Sequence, residues 1–397
     1  IMSLKSLELL PSNVKSSSII LPGSKSISNR VLIIRALCKK KFKIDNLSDS
    51  DDTNTLKINL KKTKNIIDIG ASGTTFRFLT AYLACKEGVD CIITGSDRIQ
   101  NRPIDNLVNT LNDLGANISY VKKNNFAPLR IRGKKINGGD ASINGDISSQ
   151  FISSLILIAP SLQNGLNLKI KNELVSKPYI NMTLSLINYF GVEYKWKKNI
   201  ISIKPQNYIE KNITIESDWS SVAFWMQIAY LSNHCEIKLK KLNENSIQGD
   251  IEVLKIFERL NIKSKFKNNV LTITKNKPTY KFPKKINLIN TPDLYQSLKC
   301  SLFSQNIECK ISGLNTLNKK ETDRIDSVDT ELQNLKTSKK IKTYNDHRMA
   351  MSFAPMSLKY GEIEILNGDV VTKSYPNFWQ DMKKAGFIIT PLSQVTT

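Results

Sequence analysis

The sequence has few of the residues that mark metal sites, disulfide frameworks and membrane spans. Only two of the 397 residues are histidine, and the six cysteines include no CxxC pair and no Cys/His spacing typical of a metal site. We therefore expect reduced thiols, as in cytosolic proteins, and no bound metal. The longest mainly apolar stretch, residues 151–162, contains Ser and Pro and is too short to cross a bilayer. The first residues lack the apolar core of a secretion signal, so we expect a cytoplasmic protein with no membrane partner.

Acidic residues are scarce as well. The chain has 35 Asp and Glu against 58 Lys and Arg, which gives a net charge of +23. Most of the basic residues are lysines scattered among many Asn and Ile residues, a composition typical of an AT-rich genome. Because nucleic-acid-binding proteins concentrate basic residues on one stripe, we interpret the lysines as a solvated surface and keep a basic nucleic-acid-binding protein as the weaker alternative. The ten arginines are more informative, since Arg binds phosphate and carboxylate in a bidentate geometry that Lys lacks.

A pattern of two helices and several short strands recurs six times along the chain. The first helix of each unit is apolar and rich in small residues, and its starts lie near Ser24, Ser72, Ile147, Trp219, Asp293 and Asp346. The second helix is amphipathic and begins 27 to 31 residues later, near Asp51, Pro103, Pro178, Gly249, Glu321 and Tyr375. Six such units exceed one core. The sequence therefore predicts an α/β protein of two similar domains with three units each, and a boundary near residues 205–212.

Basic residues recur at the starts of these helices, although the helix dipole makes a cation there unfavourable by about 0.3–1 kcal/mol. They are Lys25, Arg30, Lys177, Lys319, Lys320, His347 and Arg348. A local rule that is broken repeatedly at equivalent positions points to function. Because the free N–H groups at helix starts favour anions, we expect a strongly anionic ligand where these ends converge.

Hydroxyl and arginine side chains occupy the same segments. The hydroxyl residues in first turns are Ser24, Ser26, Thr74, Ser148, Ser149 and Ser176. Each alone is well suited to cap a helix, but together they exceed what capping requires. The arginines inside or beside these segments are Arg30, Arg77, Arg98, Arg102, Arg324 and Arg348. We interpret both sets as candidate contacts to phosphate or carboxylate groups.

Three residues are candidates for acid–base chemistry. His347 follows Asp346 at a basic helix start, which favours a functional histidine over a structural one. Glu321 and Asp293 are the candidate carboxylates, although Asp293 in the sequence TPD is equally suited to cap its helix. Among clustered cations a carboxylate stays ionised and suits a base, whereas an acid needs burial to raise its pKa.

Eight segments carry these candidates and their neighbours. They are LPGSKSISNR (21–30), GASGTTFRFL (70–79), DRIQNRPI (97–104), SSQF (148–151), VSKPYI (175–180), KKETDR (319–324), YNDHRMAM (344–351) and KSYP (373–376). In this order, over nearly the whole chain, they resemble the motifs of the enolpyruvylshikimate-phosphate synthases, and KETDR with NDHRMA is highly specific. The resemblance implies the enolpyruvyl transferase fold, an inside-out, barrel-like α/β arrangement of two domains with three βαβαββ-type repeats each. The expected domains are residues 22–215 and residues 1–21 with 216–397, with the active site in the cleft between them.

The resemblance implies transfer of the enolpyruvyl group of phosphoenolpyruvate to the 5-hydroxyl of shikimate 3-phosphate, through a tetrahedral intermediate and with no cofactor. By motif, the shikimate 3-phosphate contacts would be Lys25, Ser26, Arg30, Ser148, Ser149, Gln150, Ser176, Tyr179, Asp293 and Lys320. The phosphoenolpyruvate contacts would be Lys25, Gly73, Arg102, Gln150, Arg324, Arg348 and Lys373. Asp293 would accept the hydroxyl proton and Glu321 would protonate the methylene carbon, with Lys25 and His347 supporting proton movement. The family expectation is a monomer.

Some positions depart from the family's common pattern. Ala71 stands where Asn is frequent and Phe78 replaces the usual Pro, which leaves sensitivity to glyphosate open. Only 20 residues separate Arg324 from Asn345, so we expect shortened strands in the fifth unit. The alternatives are the sister transferase that acts on UDP-N-acetylglucosamine, which SKPY and NDHRMA disfavour, and an inactive structural relative.

Overall fold

The structure is a computed structural model that describes residues 6–61, 65–276 and 281–392. The chain divides into two compact units. We call Lys25–Ile215 the central unit, and Ile1–Ser24 together with Glu216–Thr397 the terminal unit. In the described ranges, no helix is both long and apolar enough to cross a membrane.

Both units contain helices and short strands. The helices are α1 (Lys25–Leu37), α2 (Asp51–Lys61), α3 (Gly73–Ala84), α4 (Asp97–Gln100), α5 (Asp105–Asp113), α6 (Ser149–Ile158), α7 (Lys177–Tyr189), α8 (Trp219–Leu231), α9 (Val253–Glu258), α10 (Tyr295–Ser304), α11 (Arg324–Thr337), α12 (His347–Phe353), α13 (Ser357–Tyr360) and α14 (Phe378–Lys384). The strands are β1 (Ser6–Leu10), β2 (Ser17–Ile20), β3 (Ile44–Asp45), β4 (Ile66–Asp68), β5 (Asp90–Thr94), β6 (Ile118–Tyr120), β7 (Leu129–Arg132), β8 (Gly139–Asn144), β9 (Leu166–Lys171), β10 (Lys195–Lys197), β11 (Ile200–Ile203), β12 (Ile213–Thr214), β13 (Glu236–Lys240), β14 (Ile262–Lys267), β15 (Val270–Lys275), β16 (Lys285–Asn287), β17 (Lys310–Ser312), β18 (Lys340–Lys342), β19 (Ile363–Leu366) and β20 (Ile388–Pro391). All twelve predicted helix starts lie within a few residues of a helix in this set.

One strand order recurs in most of the sheets. The described strands form six sheets, three in each unit. Four of them have four strands, in the orders β4-β5-β7-β6, β8-β9-β11-β10, β2-β13-β15-β14 and β18-β19-β1-β20. In each of these sheets the first pair is parallel and the other two pairs are antiparallel. In three of these sheets the last antiparallel pair is a hairpin, whereas β1 and β20 come from opposite ends of the chain. A parallel pair followed by antiparallel strands is the βαβαββ-type repeat that the family resemblance implies.

The remaining two sheets, β3-β12 and β16-β17, are single parallel pairs. In the fifth repeat, α11 is followed directly by β18, which belongs to the sheet of the sixth repeat. The short interval between Arg324 and Asn345 therefore leaves no room for a hairpin, as expected from its length. The first repeat is shortened in the same way.

The core of each unit lies between its sheets and a set of buried helices. In β9, Leu166, Leu168 and Ile170 are buried and alternate with exposed residues, so one face of the sheet is apolar. The first helix of each repeat is covered on nearly all sides, as a core helix requires, and every residue of α8 is buried. Helices α1, α3 and α6 pack on one another in the central unit, and α8, α10 and α12 do so in the terminal unit. The starts of these core helices carry most of the predicted site residues.

Candidate active site

Arg30 of α1 is a buried cation that has no carboxylate partner among the residues the structure describes. Its guanidinium donates from Nε to Thr183 Oγ1 at 2.7 Å, from Nη1 to the Ser26 carbonyl at 2.8 Å, and from Nη2 to Ser153 Oγ at 3.1 Å and the Tyr179 carbonyl at 3.3 Å. Burial lowers the pKa of Arg30 to about 10, an effect that Tyr179 partly offsets, so the group stays protonated at neutral pH. A buried charge that is satisfied only by neutral groups favours an anionic ligand.

The predicted serines lie at the starts of α6 and α7. Ser148 caps α6, because its Oγ accepts from the Gln150 N–H at 3.3 Å, and Ser149 is the first residue of that helix. Ser176 takes the cap position of α7 with a left-handed backbone, φ 54°, and is buried. A non-glycine residue in this conformation is strained, which is common at binding sites. Tyr179 follows in the same turn and accepts from Arg30 through its carbonyl.

The start of α3 carries a glycine with two guanidinium groups against it. A Cβ placed on Gly73 would lie 2.7 Å from Arg77 Nη1 and 2.8 Å from Arg102 Nη1. Arg77 is buried and donates to the Gly73 carbonyl at 2.8 Å and to Gln150 Oε1 at 3.1 Å. Gln150 Nε2 donates in turn to Thr74 Oγ1 at 3.2 Å. Two guanidinium groups beside a helix start form a favourable place for phosphate or carboxylate.

Lys25, the first residue of α1, pairs with a buried acid. Its Nζ lies 3.1 Å from Asp52 Oδ2 at the start of α2, and the two side chains are only 16% and 5% exposed. The Asp52 carbonyl accepts from Thr75 Oγ1 at 2.8 Å, which ties the start of α2 to the start of α3. The starts of α1, α2 and α3 are therefore joined around Lys25 and Gly73.

Asp293 is surrounded by three cations in the terminal unit. Its Oδ1 lies 2.8 Å from Arg324 Nη1 and 3.5 Å from Lys320 Nζ, and its Oδ2 lies 3.3 Å from Arg348 Nη2. Burial raises the pKa of Asp293, but Arg348, Lys320 and Arg324 outweigh it and hold this pKa well below the usual range. The helical turn Pro292–Leu294 and α10 have Thr291 and Leu294 at their cap positions. Asp293 is therefore not the cap residue of either element, and its acid–base role stays a prediction.

Arg324, the first residue of α11, holds three carboxylates. Besides Asp293, it contacts Glu321 Oε2 through Nη2 at 2.9 Å and Asp346 Oδ2 through Nε at 2.7 Å, and its own side chain is 2% exposed. Burial would lower the pKa of Arg324, but these three carboxylates raise it above the usual range. Glu321 Oε1 also pairs with Lys373 Nζ at 2.9 Å. Asp293 and Glu321, the predicted base and acid, are therefore held by two nitrogens of one guanidinium.

Asp346 contacts the two residues that follow it, His347 and Arg348. Its Oδ1 accepts from the Arg348 N–H at 2.9 Å, which caps α12, and lies 3.6 Å from His347 Nδ1. Asp346 and His347 are both buried. The residues before Asp346 adopt an unusual turn, because Tyr344 and Asn345 have φ values of 51° and 56°.

The predicted residues form two groups, one in each unit. The central group comprises Lys25, Ser26, Arg30, Gly73, Arg102, Ser148, Ser149, Gln150, Ser176 and Tyr179, and the terminal group comprises Asp293, Lys320, Glu321, Arg324, His347, Arg348 and Lys373. Two further buried residues that contact them, Asp52 and Asp346, were not among the predicted site residues, and Arg77 was predicted as an anion contact without being assigned to a substrate. Arg77 was visible as an arginine beside a helix start, whereas Asp52 and Asp346 carry no signal beyond that of an ordinary helix-start acid. The described ranges contain no cluster of His, Cys, Asp and Glu that could hold a metal ion.

Comparison with known proteins gives consistent matches. A sequence model of the family described as EPSP synthase (3-phosphoshikimate 1-carboxyvinyltransferase) matches residues 11–62 and 54–382. The chain is 42% identical to a 3-phosphoshikimate 1-carboxyvinyltransferase of Bacteroides fragilis, over 95% of this chain and 97% of the relative. It is 35% identical to one from Buchnera aphidicola subsp. Cinara cedri, over 95% of this chain and 96% of the relative.

A solved structure titled EPSP synthase from Acinetobacter baumannii has the same fold. The TM-score is 0.76 at 20% sequence identity, and the match covers 98% of this chain and 100% of that chain. The predicted α/β class and enolpyruvyl transferase fold are therefore confirmed.

Proposed function

The chain belongs to the EPSP synthase family, and we propose that the central and terminal groups carry out that family's reaction in the roles described below. The activity is transfer of the enolpyruvyl group of phosphoenolpyruvate to the 5-hydroxyl of shikimate 3-phosphate, with release of phosphate, in aromatic amino acid biosynthesis. The observation that best supports these roles is the position of Asp293 and Glu321 on adjacent nitrogens of Arg324, 2.8 and 2.9 Å away. The proposed base and acid thus lie together among cations.

Shikimate 3-phosphate would bind at the starts of α1, α6 and α7. Arg30 supplies a buried charge that is hydrogen-bonded to neutral groups, and Ser148, Ser149 and Ser176 supply hydroxyl donors at helix starts. The full proposed set adds Lys25, Ser26, Gln150, Tyr179, Asp293 and Lys320. Three helix starts with neutral donors suit a phosphate and a ring with several hydroxyl groups.

Phosphoenolpyruvate would bind to cations of both groups. In the central group, Arg102 lies against Gly73, where the missing side chain lets the guanidinium group approach the start of α3. Gln150 would contact both substrates from its place beside Arg77. The terminal group would supply Arg324, Arg348 and Lys373, which already hold carboxylates in pairs of 2.7 to 3.3 Å.

Glu321 and Asp293 carry out the proton transfers of the reaction. Glu321 takes up a proton when the anionic groups of phosphoenolpyruvate replace it as the partner of Arg324 and Lys373. It delivers this proton to the methylene carbon of phosphoenolpyruvate while the 5-hydroxyl oxygen attacks the adjacent carbon and loses its proton to Asp293. The product is a tetrahedral intermediate that carries a methyl group, a carboxylate and the phosphate. Return of a methyl proton to Glu321 and breakage of the carbon–oxygen bond to phosphate then give the enol ether. The proton held by Asp293 passes to the departing phosphate, so both carboxyl groups return to their starting states. Lys25 and His347 support these proton movements.

The surroundings of Asp293 suit a base that is activated by substrate. Its low pKa keeps it ionised at neutral pH, the form that accepts a proton. When anionic groups of the substrates bind Arg348 and Lys320, these cations are partly neutralised, so the pKa of Asp293 rises and the carboxylate becomes a stronger base. Asp293 would therefore be most basic in the ternary complex.

Measurement of phosphate release with different acceptors tests this function. We expect release from phosphoenolpyruvate only when shikimate 3-phosphate is present. Activity with UDP-N-acetylglucosamine alone would instead favour the sister transferase, and inactivity with both acceptors would favour a structural relative. Tight, salt-sensitive duplex binding would favour the nucleic-acid alternative.

We also propose that the enzyme is a monomer that acts in the cytoplasm without a cofactor, with domains of residues 22–215 and of residues 1–21 with 216–397. The division of the chain into the central and terminal units supports these domain limits. Sedimentation velocity tests the monomer, for which we expect one species near 44.9 kDa.

A further inference from the structure

Asp52 is a buried acid whose ion-pair partner in the described chain is a proposed catalytic lysine. Its side chain is 5% exposed, and its Oδ2 lies 3.1 Å from Lys25 Nζ. Removal of the one cation that pairs with a buried carboxylate costs a large free energy, because the negative charge is left uncompensated. Removal of the carboxylate leaves the cation uncompensated in the same way. The position of the Lys25 ammonium group is therefore coupled to the position of Asp52.

The backbone of Asp52 is fixed by a second contact. Thr75 Oγ1 donates to the Asp52 carbonyl at 2.8 Å, and Ser72 Oγ donates to Thr75 Oγ1 at 2.6 Å. Ser72 and Thr75 flank Gly73, where Arg77 and Arg102 lie. Asp52 thus joins the Lys25 end of α1 to the turn that we assign to phosphoenolpyruvate.

A simpler explanation is that Asp52 only stabilises the start of α2, where acids are favoured. Asp51 already occupies the same first turn and is exposed, as a residue in that role usually is. Asp52 is instead buried and directed at Lys25, at the start of another helix, where a lone cation is unfavourable. The helix dipole alone does not explain a contact that joins the starts of two helices.

We infer that Asp52 is a positioning residue of the reaction, which holds the Lys25 ammonium group at the substrates. The inference rests on the proposed function, because it takes Lys25 as catalytic. A displacement of about 1 Å at a catalytic group lowers turnover by about 100-fold. Asp52 itself touches no substrate in this account and acts through Lys25.

The test combines single and double variants of the full chain, assayed by phosphate release. Asp52→Asn keeps the shape but removes the charge, and we expect kcat to fall about 10- to 100-fold, with a much smaller change in KM for shikimate 3-phosphate. Asp52→Glu restores the charge and should recover part of kcat. Asp51→Asn removes the same charge from the same helix turn and should leave kcat unchanged.

The double variant separates positioning from general stability. If Asp52 acts through Lys25, Lys25→Met/Asp52→Asn should have the same kcat as Lys25→Met alone, whereas a structural effect would lower kcat further. The inference is overturned if Asp52→Asn matches Asp51→Asn, or if its effect multiplies with that of Lys25→Met. Should Asp52→Asn fail to fold, Asp52→Glu decides, since full kcat in that variant also overturns the inference. Normal turnover of Lys25→Met would overturn both this inference and the catalytic role proposed for Lys25.

Discussion

The guanidinium of Arg324 contacts both oxygens of Asp346: Nε donates to Oδ2 at 2.7 Å and Nη2 to Oδ1 at 3.4 Å. This bidentate geometry orients the same guanidinium toward Glu321 and Asp293. A lysine has one ammonium group and cannot reproduce the arrangement. We expect Arg324→Lys to lower kcat/KM for phosphoenolpyruvate by about 100-fold or more, measured by phosphate release.

The matched control for this substitution is Arg259→Lys. Arg259 is an exposed arginine of the same unit, at the end of α9. It should keep the full rate. If both variants retain activity, the bidentate contact with Asp346 does not position Arg324 for the reaction.

Gly73→Ala should weaken phosphoenolpyruvate binding selectively. The new methyl group would lie 2.7 Å from Arg77 Nη1 and 2.8 Å from Arg102 Nη1, so both guanidinium groups must move. Loss of one charge-assisted hydrogen bond corresponds to about 10- to 100-fold in binding. We expect KM for phosphoenolpyruvate to rise by this factor, with a much smaller change for shikimate 3-phosphate. An equal rise for both substrates would argue against the placement of phosphoenolpyruvate at Gly73.

Phe78→Leu should weaken shikimate 3-phosphate binding. The Arg30 guanidinium carbon lies 5.4 Å from the centre of the Phe78 ring, and both side chains are buried. A desolvated cation–π contact is worth up to about 2 kcal/mol, so KM for shikimate 3-phosphate should rise roughly 3- to 30-fold. Phe126→Leu, which removes the ring 4.5 Å from Lys123 Nζ, is the control and should leave both KM values unchanged. If the two variants behave alike, the Phe78 ring does not help to hold Arg30.

Asp293 should make stability depend on pH in the acid range. Its folded-state pKa is depressed, so its stabilising contribution is complete above the unfolded-state pKa of about 4 and is lost as the pH falls toward the folded-state value. Asp293→Asn should therefore lower the free energy of unfolding by about 3 kcal/mol at pH 7, and by less at pH 3. Urea unfolding of both proteins at the two pH values measures this. An equal or larger difference at pH 3 would contradict the depressed pKa.

The repeat pattern was predictable, because core helices and amphipathic helices follow different apolar periodicities. The pairing of short strands was not. Strand β3 has two residues, Ile44 and Asp45, and pairs with Ile213 and Thr214 far along the chain. Strands this short carry no alternation, and their partners are chosen by the packing of the helices around them.

The candidate site was predictable where the local sequence broke a rule, as at Lys25 and Arg348, which are cations at helix starts. Asp52 and Asp346 obey the rule, since acids are favoured at helix starts, so the sequence alone did not distinguish them from ordinary caps. Their importance comes from tertiary contacts with Lys25 and Arg324. Within each unit, only the fold brings the paired helix starts together.

The central claim is that residues of both groups are needed for one reaction. The most direct measurement is the rate of phosphate release with shikimate 3-phosphate and phosphoenolpyruvate for the unmodified enzyme, for Lys25→Met in the central group and for Glu321→Ala in the terminal group. We expect release only when both substrates are present, and a loss of about 1,000-fold or more in each variant, as removal of an acid–base or charge-stabilising group produces. An unchanged rate in either variant, in folded protein, would contradict the account.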